Sequence, residues 1–467
     1  MIKLITFNIK CGGSGIYSID HRAPLLKTVL DKYDADIIGF QEATPNWMEH
    51  LEKDLGEEYE IFNKYRASFN FESTPIAWRK SRFDCLDKGY FWLSDTPDVE
   101  SGGWDTWGCY RICMWVKLFD KEEGKVMTFF NTHYGFGDEN QIKSGKLILD
   151  HFKALKVDCG FLTADFNMTY TRPGYKLLEQ HLIDANMATV KDLRLTCHGY
   201  NPNRTGGAPI DICFITPDTV VPLTAKRIDD LVNGEFPSDH YGFYFELEIR
   251  QPMRILTQNV DGNASIRNKM ERNDLPLAAV QEFTSECVER IRKYERYDLI
   301  VQEDRTEDLT PIVWMKDIYE LVEQDVGKKV VLAVMKNKLN GQKLCLVNAH
   351  LSEDENEQLD AVKTILEKTA AYAELPVIVA GTLNMRIGSP AYRLLCESFK
   401  DLRRSVAPMD YTPTYNGRGE EMAEPCICDY IFIKNIQPLK YEIMPSKGRR
   451  DYSSDHNGIV GTLILED

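Results

Sequence analysis

The sequence predicts an α/β fold of two packed mixed β-sheets flanked by helices, and it predicts that fold twice in one chain. Three observations lead there. Short runs rich in β-branched and aromatic residues alternate with longer amphipathic stretches, seven phrases recur in the same order, and in both copies polar residues follow the ends of the apolar runs.

"KLITFNI" from Lys3, "KVMTFFNTH" from Lys125, "CGFLTADF" from Cys159, "IDICFIT" from Ile210 and "GFYFELEI" from Gly242 are short runs, apolar or alternating, of the residue types that fit a pleated surface. Between them lie helical stretches. "PNWMEHLEKDL" places Trp47, Met48, Leu51 and Leu55 on one face, with Thr44 in the capping position and a proline in the first turn. "NQIKSGKLILDHFKAL" from Asn140 has the same character. The polar residues then collect where the strands end.

The repeat fixes the domain organisation. Asn8 answers to Asn259, Gln41-Glu42 to Gln281-Glu282, "TPIAW" at Thr74 to "TPIVW" at Thr310, and "NTH" ending at His133 to "NAH" ending at His350. The order continues with Asn167-Met168 and Asn384-Met385, Asp211 and Asp429, and Asp239-His240 and Asp455-His456. The offset falls from 251 at the first match to 216 at the last, so the second copy is shortened and not scrambled. Solenoid units run roughly 20 to 50 residues, which makes this a duplicated domain. The join falls near Gln251-Pro252, where proline interrupts a strand-like run, giving domains of residues 1–250 and 252–467.

Composition sets outer limits. The chain has 467 residues, 43% of them hydrophobic and 11% aromatic, enough for real cores in each copy. A net charge of −16 argues against long nucleic acid as the partner, since phosphate neutralisation supplies most of that affinity, although a local basic groove is compatible with it. "MIKLITFNIK" carries no long apolar stretch, and nowhere do eighteen apolar residues run together. The expectation is a soluble, cytoplasmic protein without a membrane span. Nothing in the sequence specifies an oligomeric state. The 12 cysteines include no Cys-x-x-Cys pair and are expected to be mostly buried thiols; Cys426 and Cys428 are nearest in sequence, a spacing that alone is a weak metal signal.

Taken singly, each polar residue has a plainer explanation. An Asn at a strand end caps a turn, and Ser-Asp-His is a common turn tripeptide. The joint set decides otherwise. Asn8, Glu42, Glu72, His133, Asp165, Asn167, Asp211, Asp239 and His240 nearly all follow apolar strands. Gathering so many carboxylates and imidazoles is costly unless they pair or hold a cation.

The series "TFNI", "QE", "E-x-x-P-I", "NTH", "ADFN", "IDICF" and "SDH" resembles the endonuclease/exonuclease/phosphatase superfamily. That group includes DNase I-like nucleases, abasic-site endonucleases, inositol polyphosphate phosphatases and neutral sphingomyelinases. The resemblance covers the first copy from end to end. It implies a four-layer α/β sandwich, present twice here, and a phosphoester hydrolase site at one edge that depends on Mg²⁺, with Mn²⁺ as the alternative ion. The family pattern has Gly-Asp-x-Asn where Ala164 precedes Asp165, a departure that leaves both functional side chains in place.

Phosphoester hydrolysis needs neutralised charge, a positioned water and donors aimed at the developing oxyanions. Glu42 is expected to bind the metal, because hard cations take carboxylate oxygen, with Asn8 and Asp239 completing or orienting that shell. Asp165 would take or orient the proton of the attacking water, and Asn167 would donate to a phosphate oxygen. His240, held by Asp211, would be a second donor or acid. His133, paired with Glu72, would polarise the phosphate from the other side. Arg111 is a candidate phosphate clamp, since guanidinium matches phosphate bidentately; its competing reading is a surface ion pair.

Trp104 and Trp107 belong to an aromatic segment, "FWLSDTPDVESGGWDTWGCYRICMW", that could stack a base, sugar or lipid edge. The second copy lacks it, for Pro75 to His133 spans 58 positions and Pro311 to His350 only 39. The second copy keeps Asn259, Glu282, His350, Asn384, Asp429, Asp455 and His456, but Thr382 stands where the first has Asp165. A threonine hydroxyl cannot act as a carboxylate base. Asp308 in place of Glu72 is expected to weaken the support of His350. The sequence therefore points to a hydrolase of a small phosphodiester or phosphomonoester in the first domain and an inactive second copy. The alternatives are a DNase- or repair-type nuclease and a non-catalytic phosphate-binding protein.

Overall fold

Alternation of apolar residues decides which face each strand buries. In strand Ile2–Asn8, Ile2 and Leu4 enter one core while Ile5 and Phe7 enter another on the opposite face, as a period of two requires. The computed structural model describes residues 1–104, 108–263, 266–419, 426–447 and 452–465, and the chain divides into two units, Met1–Gln251 and Pro252–Asp467.

In the first unit the strands are, in chain order, β1 Ile2–Asn8, β2 Ile37–Gln41, β3 Tyr59–Phe62, β4 Ile76–Arg79, β5 Phe83–Trp92, β6 Ile112–Asp120, β7 Lys125–His133, β8 Gly160–Asp165, β9 Ile183–Asp184, β10 Asp211–Ile215, β11 Val220–Ile228 and β12 Gly242–Ile249. Its helices are α1 Ile19–Tyr33, α2 Pro45–Leu55, α3 Asp138–Ala154 and α4 Pro173–Glu179. The strands form two six-stranded mixed sheets, ordered β11-β12-β1-β2-β4-β3 and β5-β6-β7-β8-β10-β9. Between the sheets pack Leu4, Ile37 and Trp78 from one and Met114, Phe129 and Phe161 from the other. Leu26, Trp47 and Leu51 of α1 and α2 cover the outer face of the first sheet. Ile148, Phe152 and Leu178 of α3 and α4 cover the outer face of the second. The layering is helix, sheet, sheet, helix, the four-layer α/β sandwich expected. Thr44 occupies the N-cap of α2, but its side chain makes no capping bond; Pro45 at the first turn has already removed one of the amides in need of a partner.

A buried polar stitch ties the two sheets together close to one edge. Gln41 Nε2 donates to Asn131 Oδ1 at 2.8 Å, Thr163 Oγ1 donates to the same oxygen at 3.0 Å, and Asn131 Nδ2 donates to the Phe40 carbonyl at 2.7 Å. Gly39 permits the approach, since a Cβ there would lie 2.7 Å from Thr163 Oγ1 and 2.8 Å from Asn131 Oδ1. These side chains are wholly buried, and the bonds among them fix the alignment of the two sheets, with Gln41 Oε1 alone of their oxygens left unpartnered.

The second unit repeats the plan. Its strands are β13 Pro252–Asn259, β14 Leu277–Gln281, β15 Tyr297–Ile300, β16 Ile312–Met315, β17 Tyr319–Val326, β18 Val330–Asn337, β19 Lys343–His350, β20 Val377–Thr382, β21 Lys400–Asp401, β22 Asp429–Lys434, β23 Ile436–Met444 and β24 Gly458–Leu465. The helices are α5 Ile266–Asn273, α6 Ser285–Arg292, α7 Glu355–Ala370, α8 Pro390–Cys396 and α9 Leu402–Val406. The sheet orders, β15-β16-β14-β13-β24-β23 and β17-β18-β19-β20-β22-β21, match those of the first unit strand for strand. The stitch recurs as Gln281 Nε2 to Asn348 Oδ1 at 2.7 Å. Pro252, which the sequence reading placed outside any ladder, is the first residue of β13 and stands opposite Ile464, a position where proline is tolerated. The largest length difference lies between β5 and β6, where residues 93–111 are replaced in the second unit by residues 327–329 between β17 and β18; a second shortening lies between β1 and β2, residues 9–36 against 260–276. Among the described residues no helix is long and apolar enough to cross a membrane.

Candidate active site

Strand register assembles the site in the first unit. At the ends of β7 and β8, His133 stands beside Asp165, and Asp165 stands opposite Asp211 at the start of β10. In the other sheet Asn8 at the end of β1 stands beside Gln41 at the end of β2, which delivers Glu42 one residue later. Both Glu42 (φ 63°) and Asn167 (φ 48°) adopt left-handed backbone just past their strands, as do Glu282 (φ 51°) and Asn384 (φ 51°) in the second unit. Such a conformation is uncommon for glutamate, and its recurrence shows that the turn, not the local propensity, is being preserved.

Asn8 joins the two halves. Its Nδ2 donates to Glu42 Oε1 at 3.0 Å and to Asp165 Oδ2 at 2.9 Å. Burial opposes ionisation of Glu42, yet its carboxyl is held down at about 2 by the His133 imidazole, the Asn8 amide and the Cys11 backbone, whose N–H donates to Oε2 at 2.9 Å. Burial, with Arg111 nearby, holds His133 itself well below its usual range. Asp165 goes the other way. Burial, and then the charge of Asp211, pushes it up to about 7. His240 Nδ1 lies 3.0 Å from Asp211 Oδ2, and this partner outweighs burial and keeps the imidazole protonated well above its usual range. Asp239 pairs with Lys10 at 3.1 Å. Burial opposes the Lys10 charge, but Asp239 and Glu42 more than offset it, so a cation already sits in the field of these carboxylates.

Several expected roles shift. Glu72 is not the partner of His133: its Oε1 lies 2.7 Å from Arg66, a permanent charge that an imidazole kept neutral cannot match. Both Nδ2 hydrogens of Asn167 are taken, by the Tyr134 carbonyl at 2.9 Å and His133 Nε2 at 3.1 Å, so donation to a phosphate requires displacing the imidazole. Arg111 is no surface ion pair. It is 7% exposed, and its Nε and Nη1 are buried without a partner. Trp104 lies half-buried against the cluster beneath α3, with Lys143 above its ring at 5.6 Å. Trp107 lies outside the described residues. Of the other aromatics, Phe91 stacks on His151 at 3.6 Å and Trp92 donates to the Arg66 carbonyl at 2.7 Å, so both are structural.

The sequence reading missed Arg66 and Cys11. Arg66 and Arg111 share a pocket with Glu42, Glu72, Thr74 and His133. Arg66 is 9% exposed and its Nε is likewise buried and unpartnered. Cys11 lies with Glu42 and Glu72, and burial and the two carboxylates push its thiol up to about 12. The signal for Arg66 was "YRASFNFE": residues 66 and 72 close a loop through Arg66 N and the Glu72 carbonyl at 3.0 Å, carrying exposed Phe69 and Phe71 at its tip.

In the second unit the register is the same, with His350 beside Thr382 and Thr382 opposite Asp429. Asn259 Nδ2 donates to Glu282 Oε1 at 2.9 Å, and Asn384 Nδ2 to the Leu351 carbonyl at 2.9 Å. Asp308 supports His350 directly, its Oδ1 2.6 Å from Nδ1, contrary to the weakening expected from its shorter side chain, while its Oδ2 accepts from Arg305 Nη2 at 3.1 Å. Thr382 Oγ1 donates to Asp429 Oδ1 at 2.7 Å. His456 Nδ1 lies 2.8 Å from Asp429 Oδ2. Asp455 lies one residue before His456 and accepts from Asn416 N at its backbone carbonyl, 2.7 Å away. Lys10 is replaced by Asp261, which pairs with Arg418.

The sequence model of the Endonuclease/Exonuclease/phosphatase family matches residues 5–240. An endonuclease/exonuclease/phosphatase from Bacteroides vulgatus is 27% identical, with a TM-score of 0.50 over 53% of this chain and 98% of that one. A mannosyl-6-phosphatase from Bacteroides thetaiotaomicron is 26% identical, with a TM-score of 0.46 over 53% of this chain and 100% of that one. An uncharacterized protein of Acanthamoeba polyphaga mimivirus is 29% identical over 165 residues, which span 32% of this chain and 60% of that relative's length.

Proposed function

Because the chain belongs to the Endonuclease/Exonuclease/phosphatase family, we propose that its first unit is a divalent-metal-dependent hydrolase of a small phosphoester and that its second unit contributes little turnover. The observation that supports this best is the Asn8 bridge, which places an ionised carboxylate and a buried carboxyl near neutrality on either side of one amide. Glu42, with Asn8 and Asp239, presents oxygen donors in a net negative, half-buried setting. That donor set fits a hard cation such as Mg²⁺ or Mn²⁺. When bound, the ion supplies charge neutralisation at the phosphate oxygens.

The chain's own residues supply the rest. Asp165, poised at about 7, takes the proton of the attacking water at Oδ2. Protonated His240, fixed through Nδ1 by Asp211, offers its Nε2 hydrogen to a phosphate oxygen or the leaving oxygen. Arg66 and Arg111 provide guanidinium hydrogens without partners in the pocket beside His133, which suits a compact anionic group better than a long duplex. The exposed Phe69 and Phe71, with Tyr110 edge-on to Phe69 at 4.9 Å, can meet the apolar part of a leaving group.

A hydrolysis screen under Mg²⁺ across nucleotides, sugar phosphates, inositol phosphates, phosphodiesters and plasmid DNA tests the reading. A small phosphoester should be turned over, EDTA should stop it, and Asp165→Ala should lower kcat by on the order of 10² to 10⁴ without unfolding the protein. Residues 252–467 expressed alone should show no hydrolysis above the Asp165→Ala background. Cleavage of DNA with no small substrate turned over would favour the nuclease alternative, and activity in the isolated second unit would overturn the reading of Thr382.

A further inference from the structure

The second unit carries two thiols on the segment leading into its Asp–His pair, where the first unit has none; the first unit's nearest thiol, Cys197, comes from a different segment, bridged to His240. Cys428 directly precedes Asp429 and Cys426 stands two residues earlier, whereas Ile210 and Ala208, the matching residues before Asp211, offer no donor. Cys428 Sγ lies 3.7 Å from His456 Nδ1 and 3.4 Å from Asp429 Oδ2. The donor atoms of Cys428, Asp429 and His456 all lie within 4.8 Å of one another, and all three residues are buried. Cys426 is exposed, two residues from Cys428, and bridges to Tyr415, so it stands on the solvent side of the cluster. Tyr415 braces the group, pairing with Cys426 and His456 through isolated β-bridges and standing edge-on to the imidazole at 5.1 Å.

We propose that this cluster is a thiolate metal site in the second unit, taking Zn²⁺ through Cys428, His456 Nδ1 and Asp429, with Cys426 turning in from the solvent side as the fourth ligand. Zn–S bonds of about 2.3 Å and Zn–N or Zn–O bonds of about 2.0–2.2 Å at tetrahedral angles put the sulfur–nitrogen and sulfur–oxygen edges of the ligand set near ~3.6 Å. The two edges from Cys428 already have that length. The third, from His456 Nδ1 to Asp429 Oδ2, is a hydrogen bond of 2.8 Å, and it opens when the metal replaces the shared proton. Binding forms bonds from two thiolates, one imidazole nitrogen and one carboxylate oxygen, and releases the protons of the thiols and of Nδ1 to solvent, with no change of oxidation state. Soft donors of this kind select Zn²⁺ over Mg²⁺.

The surroundings hold the ligands in place. Thr414 Oγ1 accepts from the backbone N–H groups of Cys428 and Asp429, both at 3.0 Å. Thr382 donates to Asp429 Oδ1 and leaves Oδ2 facing the cluster. Thr382 is in this reading the group that orients a ligating carboxylate, where Asp165 in the first unit would bring a second negative charge.

The test uses the full chain, freshly reduced, with Mg²⁺ in excess to fill the oxygen-donor site. Titration with Co²⁺ should raise a thiolate-to-cobalt charge-transfer band saturating at about one equivalent, and Zn²⁺ should displace it. Cys426→Ser, at an exposed position that spares the core, should weaken Zn²⁺ binding by roughly 100-fold in competition with a chromophoric chelator while leaving the metal-free Tm unchanged. Cys428→Ser should remove the band, and Cys11→Ser in the first unit should leave it. Absence of the band, its persistence when both Cys426 and Cys428 are serine, or a Cys426–Cys428 disulfide that forms in its place and shuts metal out would each overturn the proposal.

Discussion

Asn8→Ala removes the single amide that serves both halves of the site. In the folded protein its Nδ2 makes two bonds to carboxylates, at 3.0 Å to Glu42 and 2.9 Å to Asp165. Hydrogen bonds to charged groups contribute about 1.5–3 kcal/mol each, so losing both removes roughly 3–6 kcal/mol of interaction with the ionised pair. Glu42 keeps the Cys11 amide and Asp165 keeps the Asn167 amide at 2.9 Å, which limits the damage to orientation and ionisation and not to gross structure. If the loss is felt in the transition state, kcat/KM falls by on the order of 10² to 10⁴ at one decade per 1.36 kcal/mol. The sign of the pH effect is also fixed. Asn8 stabilises the ionised form of Asp165, whose pKa already stands at about 7, so its removal raises that pKa and moves the acidic limb of the pH–rate profile to higher pH. The assay is a pH–rate profile at saturating Mg²⁺ on the best substrate of the screen. A rate within a few-fold of wild type and an unmoved acidic limb would refute the bridging role.

Three further predictions follow from the same geometry. Glu42→Gln should raise the Mg²⁺ concentration for half-maximal rate by about tenfold or more while changing KM little, because the lost charge faces the ion; an unchanged metal titration removes Glu42 from the metal site. Arg66→Gln should raise KM for a phosphomonoester by about 10- to 100-fold with a smaller effect on kcat, since the buried guanidinium meets a phosphate already charged in the ground state; an unaltered KM argues that Arg66 serves only Glu72. Asp184, buried beside Tyr175, is pushed by burial from 3.8 up to about 6. A folded pKa above the unfolded one means stability that is fully present below about pH 4 and lost as pH rises through about 6, amounting to roughly 3 kcal/mol. Asp184→Asn should flatten that part of the stability–pH curve in urea unfolding, and an identical curve would show that the group does not titrate there.

Much of the architecture was legible because it is local or repeated. Alternation in "KLITFNI" and "CGFLTADF" marks strands whose two faces enter different cores, and the spacing of Trp47, Met48, Leu51 and Leu55 marks a helix with one buried face. The ordered repeat carried the rest, since seven matched phrases at nearly constant offset from His133 onward can only be two copies of one fold. What sequence could not assign was function within each phrase. Gln41 and Asn131 recur as faithfully as Glu42 and His133, yet their side chains stitch one sheet to the other across a gap that only Gly39 allows.

The sequence by itself therefore determined the two domains, the join, and the candidate residues from Asn8 to His456. Only the tertiary structure decided who pairs with whom. Glu72 turns to Arg66 and leaves His133 to Asn167, while in the second copy Asp308 takes His350. Thr382, a missing base on paper, is a donor to Asp429 Oδ1 that leaves Oδ2 beside the Cys428 thiol. The physical reason is that strand periodicity fixes which face a side chain occupies, whereas its partner depends on register between strands far apart in sequence and on which neighbour holds a permanent charge in a buried site.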